Sequence, residues 1–274
     1  MTSLELVDAT LRYGTRVVAE GLDCAIPDGT FTAIIGPNGC GKSTTLKALA
    51  GVLRPSTGRV LLDGQDLSTL RRRDVARRIA SLPQHPVVPD GMVVRDLVAY
   101  GRHPHHTVLR RWLPEDDGII ASAMETTGVD DLAERPVGEL SGGQRQRVWL
   151  AMVLAQCTDH VLLDEPTTFL DLAHQVELLE LCQDLCRAGR TVVAVLHDLN
   201  QAARYASHLV LLHEGRLVRS GSPDEVVDEA AIRESFGVDG VVERDSQAGT
   251  PMLTVRDRRD RLAARASVAA VRGR

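Results

Sequence analysis

The run Gly36-Pro37-Asn38-Gly39-Cys40-Gly41-Lys42-Ser43-Thr44 fits G-x-x-x-x-G-K-[ST] without a mismatch. The chemistry of such a loop is phosphate binding. Its glycines let the backbone curl so that successive N–H groups, from Gly36 through Asn38, Gly39, Cys40 and Gly41, point inward at an anion. The positive end of a following helix adds to that pull. Lys42 is placed to reach the β- and γ-phosphates of a nucleoside triphosphate, Ser43 to hold Mg²⁺ and Thr44 to meet the α-phosphate. A second acidic element must hold the metal and activate water. Val161-Leu162-Leu163-Asp164-Glu165-Pro166 is an apolar run that ends in two carboxylates. Asp164 suits the metal, held through its water shell, and Glu165 suits the general base for an attacking water.

These groups need rigid elements to aim them. Thr30 to Ile35 is a short, nearly all-apolar strand of the kind covered on both faces, and a helix from Lys42 to about Ala50 follows the glycine loop. Strand His160 to Leu163, helix Leu172 to Arg187, strand Thr191 to Leu196, helix Leu199 to about Tyr205 and strand Leu209 to His213 then alternate. Such alternation implies a parallel sheet with right-handed crossovers. The first thirty residues alternate apolar and polar around a turn at Tyr13-Gly14-Thr15 and read as antiparallel hairpin material, and Gly58 to Leu62 is a further strand. From Pro86 onward prolines, histidines and short amphipathic helices (around Val93 to Tyr100 and Glu115 to Thr127) replace strands, which marks a helical insertion over about 86–158. Arg71 to Ile79 reads as a helix with a solvated basic face. The division expected is an ATPase domain over 1–240 and, over 241–274, a strand segment with an arginine-rich tail.

Composition narrows the field. The 274 residues carry a net charge of −5, with 32 Lys and Arg against 37 Asp and Glu. Lys42 and Lys47 are the only lysines. Two Trp, three Tyr and three Phe are scattered along the chain. A mildly acidic chain without clustered aromatics is a poor nucleic-acid binder, so nucleic acid is not an expected partner. No run reaches the roughly 18 apolar residues that span a bilayer. The N-terminus lacks the basic-then-apolar pattern of a signal peptide, so the chain is expected in the cytoplasm unless something tethers it. The five cysteines are dispersed, never C-x-x-C, and read as reduced thiols. Cys40, inside the phosphate loop, points to inhibition by thiol oxidation.

Leu140-Ser141-Gly142-Gly143-Gln144-Arg145-Gln146-Arg147 resembles the signature motif of ATP-binding cassette (ABC) ATPases, another anion site at a helix N-terminus. Further elements of that family appear in order. Tyr13 stands where an aromatic stacks on adenine, Gln84 matches the flexing loop that contacts Mg²⁺ or water, and Thr168-Phe169-Leu170-Asp171 stands as the D-loop. His197, ending the strand Thr191 to Leu196, matches the switch histidine that contacts the γ-phosphate. Phe169 departs from the commoner small residue. The resemblance implies an α/β P-loop cassette with a RecA-like core, an antiparallel β subdomain and an inserted helical subdomain. It implies ATP and Mg²⁺ as cofactors and a head-to-tail homodimer, in which Ser141, Gly142, Gly143 and Gln144 of one copy close over ATP on the other.

One phosphate loop and one signature make a single cassette, which is similar to the separate ATPase subunits of importers. The expected partners are two membrane permease subunits and, indirectly, a substrate-binding protein, with the chain peripheral on the cytoplasmic face of the membrane. The wording around Tyr100-Gly-Arg-His-Pro-His105 and Asp164 to Gln175 is similar to cassettes that serve iron–siderophore, haem and cobalamin import, most of all the ferric-siderophore branch. Haem, cobalamin and a soluble ABC ATPase without a permease stay open as alternatives. His103, His105 and His106 lack cysteine or carboxylate partners in ligand spacing. They are expected in a solvated or partner-facing loop rather than at a metal.

Overall fold

The computed structural model describes residues 2–84, 86–87, 90–106 and 112–256. Two long strands, β1 (Thr2–Tyr13) and β2 (Arg16–Pro27), form the expected hairpin. Tyr13 pairs with Arg16 across a two-residue turn in which Gly14 takes a left-handed φ of 56°. β4 (Thr57–Leu62) and β5 (Gln65–Asp66) complete a four-stranded antiparallel sheet in the order β2-β1-β4-β5.

The second sheet carries the chemistry. β3 (Phe31–Ile35), β6 (Ile79–Leu82), β7 (His160–Asp164), β8 (Thr191–Val195), β9 (His208–His213) and β10 (Arg216–Gly221) lie in the order β10-β9-β3-β8-β7-β6. All pairs are parallel except β9 with β10. Every residue of β3, β7 and β8 is buried, as a sheet covered on both faces requires. The period of two divides their side chains between two cores. Phe31, Ala33, Ile35, Val161, Leu163, Val192 and Ala194 face the helices. Ile34, Leu162, Val193 and Val195 face the antiparallel sheet, packing with Leu4, Leu6 and Ile26.

On that second side lies α1 (Lys42–Leu49), and α2 (Arg72–Ala76) precedes β6. The insertion is built from α3 (Val94–Tyr100), α4 (Asp116–Thr126) and α5 (Gly142–Ala155), packed through Leu97, Val98, Ile120, Met124 and Val148. α6 (Leu172–Arg187) and α7 (Leu199–Tyr205) cover the sheet. α8 (Pro223–Val226) and α9 (Glu229–Phe236) follow β10, capped by Ser222 and Asp228 respectively. The chain then forms a hairpin of β11 (Gly240–Arg244) and β12 (Pro251–Val255). The arginine-rich tail read from the sequence lies, from residue 257 on, outside the described residues.

Two surface readings are corrected. His105 and His106 do not sit in a solvated loop. His105 Nε2 donates to the Gln156 carbonyl at 2.8 Å and His106 Nε2 to Asp116 Oδ2 at 2.7 Å; His103 is exposed. Asp116 is fully buried and its Oδ1 accepts from Arg102 Nε at 2.8 Å. Among the described residues no group of His, Cys, Asp and Glu has a metal-binding arrangement. The basic stretch around α2 is also less free than a solvated face. Arg73 and Arg77 both donate through Nε to the Pro104 carbonyl at 2.9 Å, and Arg78 pairs with Asp63. Arg73 and Arg77 thereby tie the core to the insertion, while Arg78 is held by the β4–β5 turn. Their partners lie far along the chain, where spacing along the sequence gives no signal.

Candidate active site

Three of the site's elements leave the carboxyl ends of neighbouring parallel strands, the edge at which open α/β sheets bind ligands. The phosphate loop joins β3 to α1, Asp164 and Glu165 end β7, and His197 follows β8. The loop's shape depends on glycine at two positions. Gly36 has φ 146°, and a Cβ there would lie 2.1 Å from the Leu212 carbonyl oxygen. Gly41 has φ 104° and enters α1 without a side-chain cap. The first-turn N–H groups of α1 are thereby left to a ligand.

Lys42 is only 5% exposed. Its Nζ donates to the carbonyls of Gly36 and Pro37, both at 2.9 Å. Those two bonds hold the ammonium inside the loop, and an ammonium has a third proton to offer. Ser43 Oγ donates to Asp164 Oδ1 at 2.8 Å. Asp164 is 2% exposed, and its other oxygen, Oδ2, has no hydrogen-bond partner. Burial pushes the Asp164 carboxyl up from its ordinary range; the Ser43 hydroxyl opposes that shift and the neighbouring Glu165 charge adds to it. A buried carboxylate with an orphaned oxygen beside a serine hydroxyl is a donor set that a hard cation satisfies.

Glu165 takes a left-handed φ of 53°, an uncommon conformation for a side chain of its size. The turn brings Glu165 Oε1 to 2.7 Å from His197 Nε2, with side-chain exposures of 13% and 46%. Both face a cavity of about 600 Å³ lined also by Tyr13, Arg16, Asn38, Gly39, Gly41, Lys42, Ser43, Thr44 and Gln84. Tyr13 is half exposed at its rim. The structure thus gathers Tyr13, the phosphate loop, Gln84, Asp164, Glu165 and His197 into one place.

The signature residues lie elsewhere. Ser141 to Gln144 do not line the cavity. They form a capping box at the start of α5: Ser141 Oγ accepts from the Gln144 amide at 3.2 Å, and Gln144 Oε1 accepts from the Ser141 amide at 3.1 Å. Gly142 and Gly143 let this start approach the D-loop. A Cβ on Gly142 would meet Phe169 Cβ at 3.3 Å. Phe169 has φ 68° and is 69% exposed.

The ABC transporter family profile matches residues 19–168, more than half of the chain. The chain belongs to this family. Over 245 residues this ABC protein is 51% identical to the ferric enterobactin transport ATP-binding protein FepC of Escherichia coli strain K12, covering 89% of the chain and 90% of FepC. It is 44% identical over 258 residues to the iron(3+)-hydroxamate import ATP-binding protein FhuC of Bacillus subtilis strain 168, covering 94% and 96%. An inward-facing metal-chelate type ABC transporter superposes with a TM-score of 0.80 at 26% identity, covering 94% of this chain and 99% of that one. As an ABC transporter ATP-binding protein, the chain is a nucleotide-binding ATPase.

Several residues around the ABC site make contacts that no motif signals. Arg16 lines the cavity because the two-residue turn sets it opposite Tyr13; the hairpin register could have revealed it. Gln146 Nε2 donates to the Pro166 carbonyl at 3.1 Å and ties α5 to the loop after Glu165. Gln175 Nε2 donates to the Leu170 carbonyl at 3.1 Å, and Gln175 Oε1 accepts from Gln201 Nε2 at 2.9 Å. The D-loop is thus linked to α7.

Cys40 is buried within the loop, and burial pushes its thiol up despite the nearby Lys42. That opposes the thiolate on which oxidation depends, so the expected redox sensitivity loses its chemical basis. Cys157 is the exposed cysteine among the described residues. A maleimide added to the folded protein is expected to label Cys157 and to modify Cys40 at least about tenfold more slowly. Peptide mass spectrometry over a time course checks this; equal rates would show that the loop opens.

Proposed function

We propose that the chain is the ATP-hydrolysing subunit of an importer for ferric siderophores. The observation that carries this reading is similarity over about nine-tenths of the chain to ATP-binding proteins for ferric enterobactin and ferric hydroxamate transport. Tyr13 stacks on adenine, the backbone of the glycine loop with Lys42 and Thr44 holds the phosphates, and Glu165 takes a proton from the attacking water. His197 holds the γ-phosphate, and Gln84 reaches the water or the metal. Ser43 and Asp164 hold Mg²⁺, a role the orphaned Asp164 Oδ2 fits; bound there, the metal neutralises phosphate charge.

Two copies act together. Ser141, Gly142, Gly143 and Gln144 lie outside their own chain's cavity, so they serve the nucleotide of a second copy. The exposed Phe169 and Leu172 mark the adjoining surface. No described helix is long and apolar enough to cross a membrane. By its likeness to import ATP-binding proteins, the dimer works on two permease subunits, peripheral on the cytoplasmic face, and through them on a substrate-binding protein. A groove of about 760 Å³ between the end of α1, β4 and α2, lined by Leu53, Arg54, Arg72 and Val75 and reached from the insertion by Gln156, is the place for a permease helix.

Lys42→Ala removes charged hydrogen bonds worth about 1.5–3 kcal/mol, so purified protein is expected to bind ATP roughly tenfold to a hundredfold more weakly. In a deletion strain the parent gene restores uptake of ferric catecholate and hydroxamate siderophores, and the Lys42→Ala gene does not. Uptake of haem and cobalamin is unchanged by the deletion. Loss of haem or cobalamin uptake with ferric-siderophore uptake intact would overturn the cargo assignment.

A further inference from the structure

The C-terminal hairpin lies outside the span matched by the family profile, yet it grips the helix that follows His197. α7 has only seven residues, too few to hold its own position without tertiary contacts. Asn200, in its first turn, makes a reciprocal pair of bonds to one residue of β12. Asn200 Nδ2 donates to the Leu253 carbonyl at 3.1 Å, and Asn200 Oδ1 accepts from the Leu253 amide at 2.8 Å. In an antiparallel ladder both polar groups of one residue point to the same side. Leu253 therefore turns both toward the outer edge of β12, away from β11, and the carboxamide completes that edge as a neighbouring strand would.

One helical turn on, Arg204 Nη1 donates to Asp245 Oδ2 at 2.8 Å. Asp245 Oδ1 also accepts from the amides of Gln247 and Ala248, at 2.8 and 3.2 Å, and so closes the hairpin's turn. Residues 200 and 204 share a helix face, so α7 is tied at two points to one rigid hairpin. On another side Gln201 ties it to α6 through Gln175. His197 stands immediately before Asp198, which caps α7 by accepting from the Gln201 amide at 2.9 Å. The placement of α7 therefore sets where the imidazole meets Glu165.

We propose that the β11–β12 hairpin is a brace for the switch histidine and that Asn200 is a positioning residue for hydrolysis. This rests on the assignment of His197 to the γ-phosphate made above. With the brace cut, α7 still forms and nucleotide still binds to the phosphate loop, but the imidazole is held less often at the reacting end.

The experiment uses full-length Asn200→Ala, Arg204→Gln, His197→Ala and the Asn200→Ala/His197→Ala pair, with phosphate release measured against ATP concentration. Asn200→Ala is expected to lower kcat about fivefold to twentyfold with KM for ATP within about twofold. Arg204→Gln, which keeps the Asn200 contact, should move kcat in the same direction by less. The pair should be no slower than His197→Ala alone, because both changes remove one effect. Parent kcat in Asn200→Ala and Arg204→Gln, with His197→Ala slow, overturns the brace and leaves the role of His197 standing. Multiplying effects in the pair, or a rise in KM that accounts for the loss, also overturns it. A parent rate in His197→Ala removes the assignment of His197 itself, and the brace with it.

Discussion

Glu165→Gln is expected to lower steady-state ATP hydrolysis by a factor of about 10² to 10⁴, the range that a positioned general base supplies, while leaving ATP binding near the parent level. The substitution keeps the shape of the side chain and removes its basicity. Glu165 is held in its left-handed turn by the Pro166 and Thr168 segment, not by its charge: the Thr168 amide donates to the Glu165 carbonyl at 3.2 Å, and Gln146 fixes Pro166. The phosphate loop and Asp164 make no hydrogen bond to the Glu165 side chain, so the nucleotide contacts survive. The contact with His197 at 2.7 Å can also persist, since an amide oxygen still accepts. In the proposed dimer, closure then outlasts chemistry, so two chains should stay associated on ATP and run as a dimer in size-exclusion chromatography. Phosphate release and equilibrium nucleotide binding check the two halves separately. Hydrolysis within a few-fold of the parent would mean that another group takes the proton.

The parts of this site that were legible in the sequence are those whose meaning depends on a local pattern at the end of a strand. The glycine loop, Asp164-Glu165 and His197 each follow a short apolar run, and the parallel sheet brings the ends of β3, β7 and β8 side by side. Spacing along the chain and position in space agree there. They part company where a side chain answers to a distant partner. His106 finds Asp116, whose other oxygen accepts from Arg102, while His105 finds the carbonyl of Gln156. Arg102, His105 and His106 look like members of a solvated loop until α4 and the end of α5 supply their partners. Arg16, Gln175 and Gln201 were hidden for the same reason: each belongs to the site through strand register or helix packing. The hairpin of β11 and β12 carries no motif, and its contact with α7 is made by Asn200 and Arg204 across more than forty residues. Burial was the other blind spot, as Cys40 shows, because a reactive position in a motif says nothing about whether solvent reaches the sulfur.

The buried cluster in the insertion leads to the largest expected change in stability. Asp116→Asn should lower the free energy of unfolding by about 3–5 kcal/mol at pH 7, the cost of leaving one partner of a buried ion pair uncompensated. Asp116 is fully buried and Arg102 nearly so. Arg102 also donates through Nη1 to the Ala155 carbonyl at 3.0 Å, so its guanidinium joins the end of α3 to the last turn of α5. With asparagine at position 116, the Leu113 amide, now 2.9 Å from Asp116 Oδ2, and the His106 ring N–H both converge on the place of a carboxylate oxygen. An amide cannot accept there and also accept from Arg102. The pH dependence follows from the same contacts. Burial alone pushes the Asp116 carboxyl up, but the Leu113 amide, Arg102 and His106 outweigh it and hold the group below its ordinary range. A carboxyl with a lowered folded value stabilises the protein above the ordinary value of about 4, and that stability is lost as pH falls through the folded value. The gap between parent and Asp116→Asn should therefore be full at neutral pH and shrink below about pH 4, as measured by urea denaturation at a series of pH values. Because α5 opens with Ser141 and Gly142 and closes at Arg102's contact, loosening this cluster also frees the helix that, in the proposed dimer, presents the signature to a second copy. ATP-dependent association should then weaken in step with stability. A variant as stable as the parent at pH 7 would show that the cluster is held by the packing of α3, α4 and α5 alone.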